Sequence, residues 1–338
     1  MISAMNRMAL SLAISILLIG AYARSQEPKD VPTFSVSVNL VKVPLSIFDT
    51  KGASILDVRR EDFVLFEDGV RQQIRSFGID RNPVSVVLLI DTSATVEAEG
   101  KKIREAAESF AEALGANDRI SILKFDDDVT LLQDWTSGPK QVRKALRKVE
   151  PGLRTALYDA MYSAAHDQLA GVDGRKAIIL LTDCLNNQSR IGFPDASLAI
   201  IQSQASLYVV SKTQIVRKAA RLQRRVVMLE DIYRHLFGEN SDYIEEFFQK
   251  REAEMIDLAE KTGGRCFFPS DYDQIRGVYD QVARELKSQL FMTYISGQNK
   301  QPDSYHSIAI DYVQPSSKLV YRKGYYYEPR PLRRRLLP

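Results

Sequence analysis

The chain has 338 residues, of which 45% are hydrophobic and 26% are charged, ordinary values for a soluble globular protein of about two domains. Its 46 basic and 43 acidic residues leave a net charge of only +3. Because nucleic-acid binding needs a concentrated basic face, this balance argues against nucleic acid as a partner. The two cysteines, Cys184 and Cys266, are too few for a disulfide scaffold. Both adjoin apolar runs, which favours buried free thiols over one disulfide.

The N-terminus has the three parts of a signal peptide. Arg7 supplies a positive charge, residues 8–21 form an apolar run, and Ala21-Tyr22-Ala23 matches a small-x-small cleavage pattern. Residues 1–23 are therefore predicted to be removed, and the protein is predicted to be exported to the periplasm, the cell surface or the medium. The run is shorter than the ~20 apolar residues of a membrane span, so no stable span is expected after cleavage. The alternative is an uncleaved N-terminal anchor.

Residues 34–80 predict the first half of a small all-β domain. Apolar and polar residues alternate with the period of a half-buried strand, and Glu67-Asp68-Gly69 suits a hairpin turn. The predicted strands are 34–40, 43–48, 63–66 and 70–77.

After Asn82-Pro83 the pattern changes to strands that alternate with helices. The predicted strands are 84–90, 120–125, 129–135, 177–181, 207–210 and 266–268. Helices are predicted at 100–114, 139–149, 156–169 and 272–286, and the charged stretch 216–261 is expected to be largely helical. Several of the strands are almost continuously apolar, as in a sheet that is buried on both faces. The pattern predicts an α/β domain over residues 84–289: a doubly wound, mostly parallel sheet with helices on both faces.

Residues 290–328 return to a β pattern. Strands are predicted at 290–295, 307–312 and 319–321, followed by Gly324-Tyr325-Tyr326-Tyr327. We expect them to complete the small, sandwich-like β domain, which would make the α/β domain an insertion between its two halves. Residues 329–338 are basic and are predicted to be a disordered tail.

Small oxygen-bearing side chains follow the predicted elements in three places. Asp91-Thr92-Ser93-Ala94-Thr95 comes directly after the strand 84–90, Thr155 precedes a helix, and Asp183 follows the strand 177–181. In doubly wound sheets, ligands bind at the carboxyl ends of the strands. A hard divalent cation, Mg²⁺ or alternatively Mn²⁺ or Ca²⁺, prefers such oxygen donors. The hydroxyls of Ser93, Thr95 and Thr155 are candidate ligands, with Asp91 and Asp183 holding coordinated waters.

This arrangement resembles the metal-ion-dependent adhesion site of von Willebrand factor A domains, whose pattern is D-x-S-x-S, a distant Thr and a distant Asp. The resemblance implies a Rossmann-like fold and a non-enzymatic adhesion or protein-binding role, in which the cation accepts a carboxylate from a partner protein. More narrowly, residues 34–328 resemble the bacterial VWFA-related Acidobacterial domain family. The stretches that carry this second resemblance are Glu61-Asp62-Phe63, Phe66-Glu67-Asp68-Gly69, Leu157-Tyr158-Asp159-Ala160, Thr262-Gly263-Gly264-Arg265 and Arg322-Lys323-Gly324-Tyr325-Tyr326.

The sequence departs from the family pattern twice. Thr95 replaces the second Ser and keeps its hydroxyl, whereas Cys184 stands where a Gly follows the distant Asp, which puts metal affinity in question. Two other functions stay open. One is an enzyme that uses Asp91 for Mg²⁺-dependent phosphoryl transfer or hydrolysis, which Ser93 disfavours because related phosphatases carry a second acid there. The other is a metal-free structural protein of the envelope, in which these side chains only cap helices and close turns.

Overall fold

The computed structural model describes residues 39–93, 97–147, 149–221, 241–297, 300–314 and 316–330. Several predictions lie outside the described residues: the signal peptide, the strand start at 34–38, Thr95, residues 222–240 of the charged stretch, and the tail at 331–338. Among the described helices, none is both long enough and apolar enough to cross a membrane.

The elements are numbered in chain order over the described ranges. The strands are β1 Leu40–Phe48, β2 Phe63–Glu67, β3 Val70–Gln72, β4 Ser76–Ile79, β5 Val84–Asp91, β6 Arg119–Phe125, β7 Val129–Thr136, β8 Arg175–Thr182, β9 Ser206–Ser211, β10 Arg265–Phe267, β11 Leu290–Ile295, β12 Ser304–Tyr312, β13 Lys318–Tyr321 and β14 Gly324–Tyr327. The helices are α1 Glu97–Ala113, α2 Pro139–Leu146, α3 Leu157–Tyr162, α4 Phe193–Ser203, α5 Thr213–Arg221, α6 Ser241–Lys261 and α7 Asp273–Ser288. A 3₁₀ turn spans Arg60–Asp62, and α3 continues into a π-helical turn at Ser163–Gln168.

The α/β domain is built on a six-stranded sheet with the order β10-β9-β8-β5-β6-β7. Its strands are parallel except for the edge strand β7, which pairs antiparallel with β6. Every residue of β5 is buried. Val86 and Leu88 pack with α1, α2 and α7 on one face, while Val87 and Leu89 pack with α3, α4 and α6 on the other. The predicted α/β class and mostly parallel sheet are confirmed.

The β domain is a sandwich of two antiparallel sheets, with the orders β13-β1-β11-β4 and β14-β12-β2-β3. Strands from before and after the α/β domain are neighbours in both sheets, as in the pairs β1–β11 and β2–β12. The core between the sheets includes Leu45 and Met292 from the first sheet and Leu65 and Ile310 from the second. The α/β domain is therefore inserted into the chain of the sandwich.

Two of the contacts that join the inserted domain to the sandwich involve buried arginines. Arg175, at the start of β8, donates to the backbone carbonyls of Asp80, Asn82 and Leu286, which lie where the chain enters and leaves the α/β domain. The buried Asp80 carboxylate also lies 2.6 Å from the ammonium of Lys42 in β1. The Arg175 guanidinium thus holds together the two chain segments that connect the domains.

The second contact explains the Thr262-Gly263-Gly264-Arg265 stretch. A Cβ on Gly264 would lie 1.9 Å from the carbonyl oxygen of Leu207 in β9, and Gly263 has φ +78° and packs on the backbone of Arg322. Thr262 and Arg322 form an isolated β-bridge, and the buried Arg322 guanidinium donates to the carbonyl of Gln204. Glycine is needed at 263 and 264 because the backbones approach too closely for a side chain.

Three local predictions were wrong or incomplete. The run 70–77 is divided: β3 pairs with β2 in one sheet and β4 with β11 in the other, because the chain crosses between the sheets near Arg75. Helix α4 was not predicted, although Pro194 in its first turn is a common helix-start signal. The predicted helix 156–169 starts as α3 but widens into the π-helical turn.

Candidate functional site

The site residues lie where three adjacent parallel strands end. β5 ends at Asp91, β8 at Thr182 and β9 at Ser211, and these strands are neighbours in the order β9-β8-β5. Asp91, Asp183 and Lys212 therefore share one edge of the sheet. Sequence analysis predicted the first two and missed Lys212.

Asp91 is fully buried and both of its carboxylate oxygens accept hydrogen bonds. Its Oδ1 accepts from the backbone N–H of Ser93 at 3.0 Å and from the Ser93 hydroxyl at 2.5 Å. Its Oδ2 accepts from the Thr182 hydroxyl and from the N–H of Asp183, both at 3.4 Å. The two predicted loops after β5 and β8 are thus joined directly through the Asp91 carboxylate.

Lys212 brings a positive charge into this buried cluster. Its ammonium lies 3.5 Å from Asp91 Oδ2, and its side chain is only 4% exposed. Burial acts against the ammonium, but the Asp91 and Asp183 carboxylates outweigh it and raise the pKa of Lys212 above its usual range. Lys212 is therefore charged at neutral pH. In the sequence it stands two residues after the predicted strand 207–210, but only the pairing of β9 with β8 brings it to this edge of the sheet.

Asp183 completes the charged group. Its carboxylate accepts from the N–H of Leu185 at 3.0 Å. Burial raises the pKa of Asp183 to about 6, the neighbouring Asp91 carboxylate acts in the same direction, and Lys212 opposes them. Two carboxylates placed so close together and out of water need positive charge nearby to stay ionised together.

Thr155 is buried on the loop before α3, and backbone contacts tie this loop to both others. Gly152 forms an isolated parallel bridge with Ser93, and the carbonyl of Thr155 accepts from the N–H groups of Asn187 and Gln188 in the loop after β8. The N–H of Thr155 donates to the Asn187 side chain at 2.8 Å. The structure thus gathers the loops of Ser93, Thr155 and Asp183, while Thr95 lies outside the described residues.

A glycine lets the Thr155 loop approach. A Cβ on Gly152 would lie 2.5 Å from Cβ of Asp126 and 2.8 Å from the Asp127 carboxylate. Asp126 accepts from the Thr92 hydroxyl at 2.8 Å and pairs with Lys124 at 2.6 Å. The three aspartates 126–128 thus form a turn between β6 and β7, and Asp126 supports the loop after β5.

Cys184 shows what its departure from the family pattern means structurally. Its φ is +64°, in the left-handed region that favours glycine, and its N–H donates to the Thr182 hydroxyl at 3.0 Å. The loop therefore keeps the backbone conformation that the family's glycine would adopt without strain. For Cys184, which has a Cβ, this conformation costs roughly 1–2 kcal/mol. The buried thiol lies 3.7 Å from the Ser211 hydroxyl, and both cysteines are free thiols.

The donor set fits a hard divalent cation. Within the described ranges, no group of three or more His, Cys, Asp or Glu side chains is placed to hold a metal ion. A cation here would be held by hydroxyl oxygens with carboxylates beside them. Hydroxyl and carboxylate oxygens are the donors that Mg²⁺, Mn²⁺ and Ca²⁺ prefer.

A family comparison covers this same region. Residues 86–186, which include Asp91, Ser93, Thr155 and Asp183, match the family model described as von Willebrand factor type A domain. The chain contains a von Willebrand factor type A domain. No curated protein matches the sequence significantly.

Solved structures are also similar to parts of the chain. One is proximal thread matrix protein 1 from the mussel byssus with a zinc-occupied MIDAS motif, at 15% identity and TM-score 0.44, covering 67% of this chain and 50% of that one. Another is a von Willebrand factor type A protein from Catenulispora acidiphila, at 9% identity and TM-score 0.43, covering 85% and 75%. A third is the vWF domain of the pilus tip protein Mfa5 from Porphyromonas gingivalis, at 22% identity and TM-score 0.30, covering 33% and 43%. The chain spans about half the length of the mussel protein.

The Leu157-Tyr158-Asp159-Ala160 stretch helps to position the site of the A domain. The buried Asp159 carboxylate accepts from the N–H groups of Arg190 and Ile191, at 2.9 to 3.1 Å. The Ser189 hydroxyl accepts from the N–H groups of Tyr158 and Asp159. The loop after β8 is thereby anchored to the start of α3, next to Thr155.

Proposed function

We propose that the chain is an exported, non-enzymatic binding module whose A domain uses a divalent cation to bind an acidic group of a partner protein. The hydroxyls of Ser93 and Thr155, with that of Thr95 outside the described residues, would hold the cation, and Asp91 and Asp183 would orient its waters. A bound cation would supply an electrophilic point that accepts a carboxylate oxygen. The observation that carries the proposal is the joining of all three loops at one sheet edge, through the Asp91 carboxylate and the Ser93–Gly152 bridge.

The environment of Asp91 favours binding over catalysis. An aspartate that attacks a phosphoryl group needs an accessible carboxylate oxygen. Asp91 is 0% exposed, Ser93 occupies its Oδ1, and Lys212 with two weaker donors faces its Oδ2. This carboxylate therefore orders the hydrogen bonds around it, and in the described structure it has no free oxygen for attack on a phosphoryl group.

The surface beside the site suits a protein partner. Leu153 is 64% exposed, two residues before Thr155, and Arg154 is exposed next to it, bonded to the Gln188 side chain at 2.9 Å. The arginine at the rim offers a second anchor for an acidic group of a partner.

The sandwich leaves this edge free. Arg175 at the start of β8 contacts the domain junction, whereas Thr182 at its end contacts the site. The two residues are seven positions apart along β8, which is about 23 Å in a strand. The sandwich thus serves as a base that presents the site at the far end of the α/β domain.

Calorimetric titration of the mature protein with Mn²⁺ or Mg²⁺ tests the proposal. We expect saturable binding in the wild type and its loss in Ser93→Ala, which removes one proposed ligand. Ser109→Ala is the matched control, because Ser109 lies in α1 and its hydroxyl bonds Asp280 of α7. Equal binding by wild type and Ser93→Ala would contradict the proposed site. Phosphatase turnover that Asp91→Asn abolishes would favour the enzyme instead.

A further inference from the structure

Lys212 is part of the site, but it belongs neither to the family's site pattern nor to the residues proposed to hold the cation. It sits between β9 and α5, and its backbone is fixed on both sides. Its N–H donates to the carbonyl of Thr182 at 2.7 Å, and its own carbonyl accepts from the N–H of Val216 at 3.0 Å. An ordinary lysine would extend its ammonium into water. The Lys212 ammonium instead lies inside the protein beside the Asp91 carboxylate, so its positive charge acts on the candidate cation site.

The charges at the site can be summed from these side chains. With both carboxylates ionised, Asp91 and Asp183 contribute two negative charges and Lys212 one positive charge, which leaves one net negative charge among these three buried side chains. The nearby Asp126 is paired with Lys124 at 2.6 Å and adds no net charge. A divalent cation would turn the balance to one net positive charge in a largely buried space. Uncompensated buried charge is costly, and one further anion would remove it.

We propose that Lys212 couples the two ligands of the site, opposing a divalent cation that binds by itself and favouring one that binds together with a partner's carboxylate. This inference rests on the proposed function and names its regulation. Without ligands, Lys212 offsets the Asp91 and Asp183 carboxylates and keeps the empty site folded. With the cation bound, the ammonium adds to the positive potential that attracts the anion. Coupling of this kind is reciprocal, so the anion also tightens cation binding.

The test is Mn²⁺ titration calorimetry at neutral pH and constant ionic strength, with and without acetate as the carboxylate probe. Lys212→Met removes the charge and keeps the apolar stem. We expect it to bind Mn²⁺ at least about tenfold more tightly than wild type in the absence of acetate, since a like charge close to the ion is gone. Acetate should tighten Mn²⁺ binding in wild type by a larger factor than in Lys212→Met.

Lys300→Met is the matched control. Lys300 is also buried and paired, with Glu67 at 2.5 Å, but it lies in the sandwich. We expect its Mn²⁺ affinity and acetate effect to equal those of wild type. If Lys212→Met does not fold, Lys212→Gln takes its place. The wild type alone also tests the inference: if acetate does not change its Mn²⁺ affinity, the inference is overturned.

The outcomes separate the inference from the proposed function. Equal Mn²⁺ affinity in wild type and Lys212→Met, or weaker binding by the variant, overturns the coupling and leaves the cation site intact. Binding by Lys212→Met with none by wild type, even with acetate, supports an opposing Lys212 and overturns the proposed cation-dependent function. No binding by either protein under any condition overturns both.

Discussion

Glu67 offers the sharpest test of how the two halves of the sandwich are held together. It ends β2, before the α/β domain, and among the described residues its buried carboxylate accepts from four that come after that domain. The donors are the hydroxyls of Tyr294, Ser296 and Tyr325, each at 2.7 Å, and the Lys300 ammonium at 2.5 Å. Removing its charge should therefore weaken the contact between the two halves of the sandwich.

The expected magnitude follows from what Glu67→Gln leaves behind. The hydroxyls can reorient toward an amide, but the Lys300 ammonium, 8% exposed, keeps its charge without a carboxylate. Removing one partner of a buried ion pair typically lowers the free energy of unfolding by about 3–5 kcal/mol, because the other charge is left buried without a partner. Lys300 also bonds the Tyr325 hydroxyl at 2.7 Å, which offsets part of this. We expect Glu67→Gln to lower the free energy of unfolding by about 3 kcal/mol.

Urea denaturation at neutral pH measures this loss. Glu61→Gln is the control, because Glu61 forms only an exposed pair with Arg60 and its loss should have little effect. The double variant Glu67→Gln with Lys300→Met should lose less than the sum of the single variants, because no charge is then buried unpaired. A loss below about 1 kcal/mol for Glu67→Gln, or additive losses in the cycle, would refute the reasoning.

The same network predicts an acid dependence. Burial acts to raise the pKa of Glu67, but hydrogen bonds from Lys300, Ser296, Tyr325 and Tyr294 outweigh it and lower the pKa below 4.5. A lowered folded-state pKa gives stability that is present above the unfolded value and lost as pH falls through the folded one. The difference between wild type and Glu67→Gln should therefore shrink as the pH falls below about 4.5. A difference that stays constant down to pH 3 would contradict this assignment.

Further predictions concern the glycine contact and the thiols. Gly264→Ala places a Cβ 1.9 Å from a backbone carbonyl oxygen and should destabilise the fold by several kcal/mol, roughly 3 or more, in thermal or urea unfolding. Gly277→Ala, in α7 with open space around it, should be neutral or stabilise by about 1 kcal/mol, and similar losses for both would contradict the steric argument. Burial raises the pKa of the Cys184 thiol and that of Cys266, the latter to about 12. Both thiols should therefore react with a thiol reagent such as dithionitrobenzoate more slowly in the folded protein than after denaturation. The buried Cys184 should be slower than the half-buried Cys266, and rapid labelling of Cys184 in the native state would contradict its burial.

Much of the fold and part of the site followed from residue patterns. The buried β-branched run of β5 predicted a central parallel strand, and the polar residues after it predicted a site edge. Asp91 and Asp183 could be predicted because each directly follows such a run. Lys212 could not be recognised as a site residue without knowing that β9 neighbours β8, since sequence shows only that a lysine follows a short strand.

The sandwich shows a different limit of sequence reasoning. Alternation in 70–77 predicts strand but does not say which sheet each part joins, because the period of two is the same in both. The division into β3 and β4 depends on partners more than 200 residues away, since β4 pairs with β11. Similarly, the sequence shows Glu67 only as an acidic residue next to a predicted turn. Its ion pair with Lys300 could not be predicted, because the two residues meet only in the folded chain.

The most direct measurement for the central claim is a crystal structure of residues 24–338 soaked in Mn²⁺ together with acetate, with data collected at the manganese absorption edge. The account predicts an anomalous peak within ligand distance of the Ser93 and Thr155 hydroxyls, about 2.2 Å for such an ion, with acetate on its open side and Lys212 still beside Asp91. A peak elsewhere only, or no peak while these loops keep the geometry described above, would contradict a cation-dependent binding site.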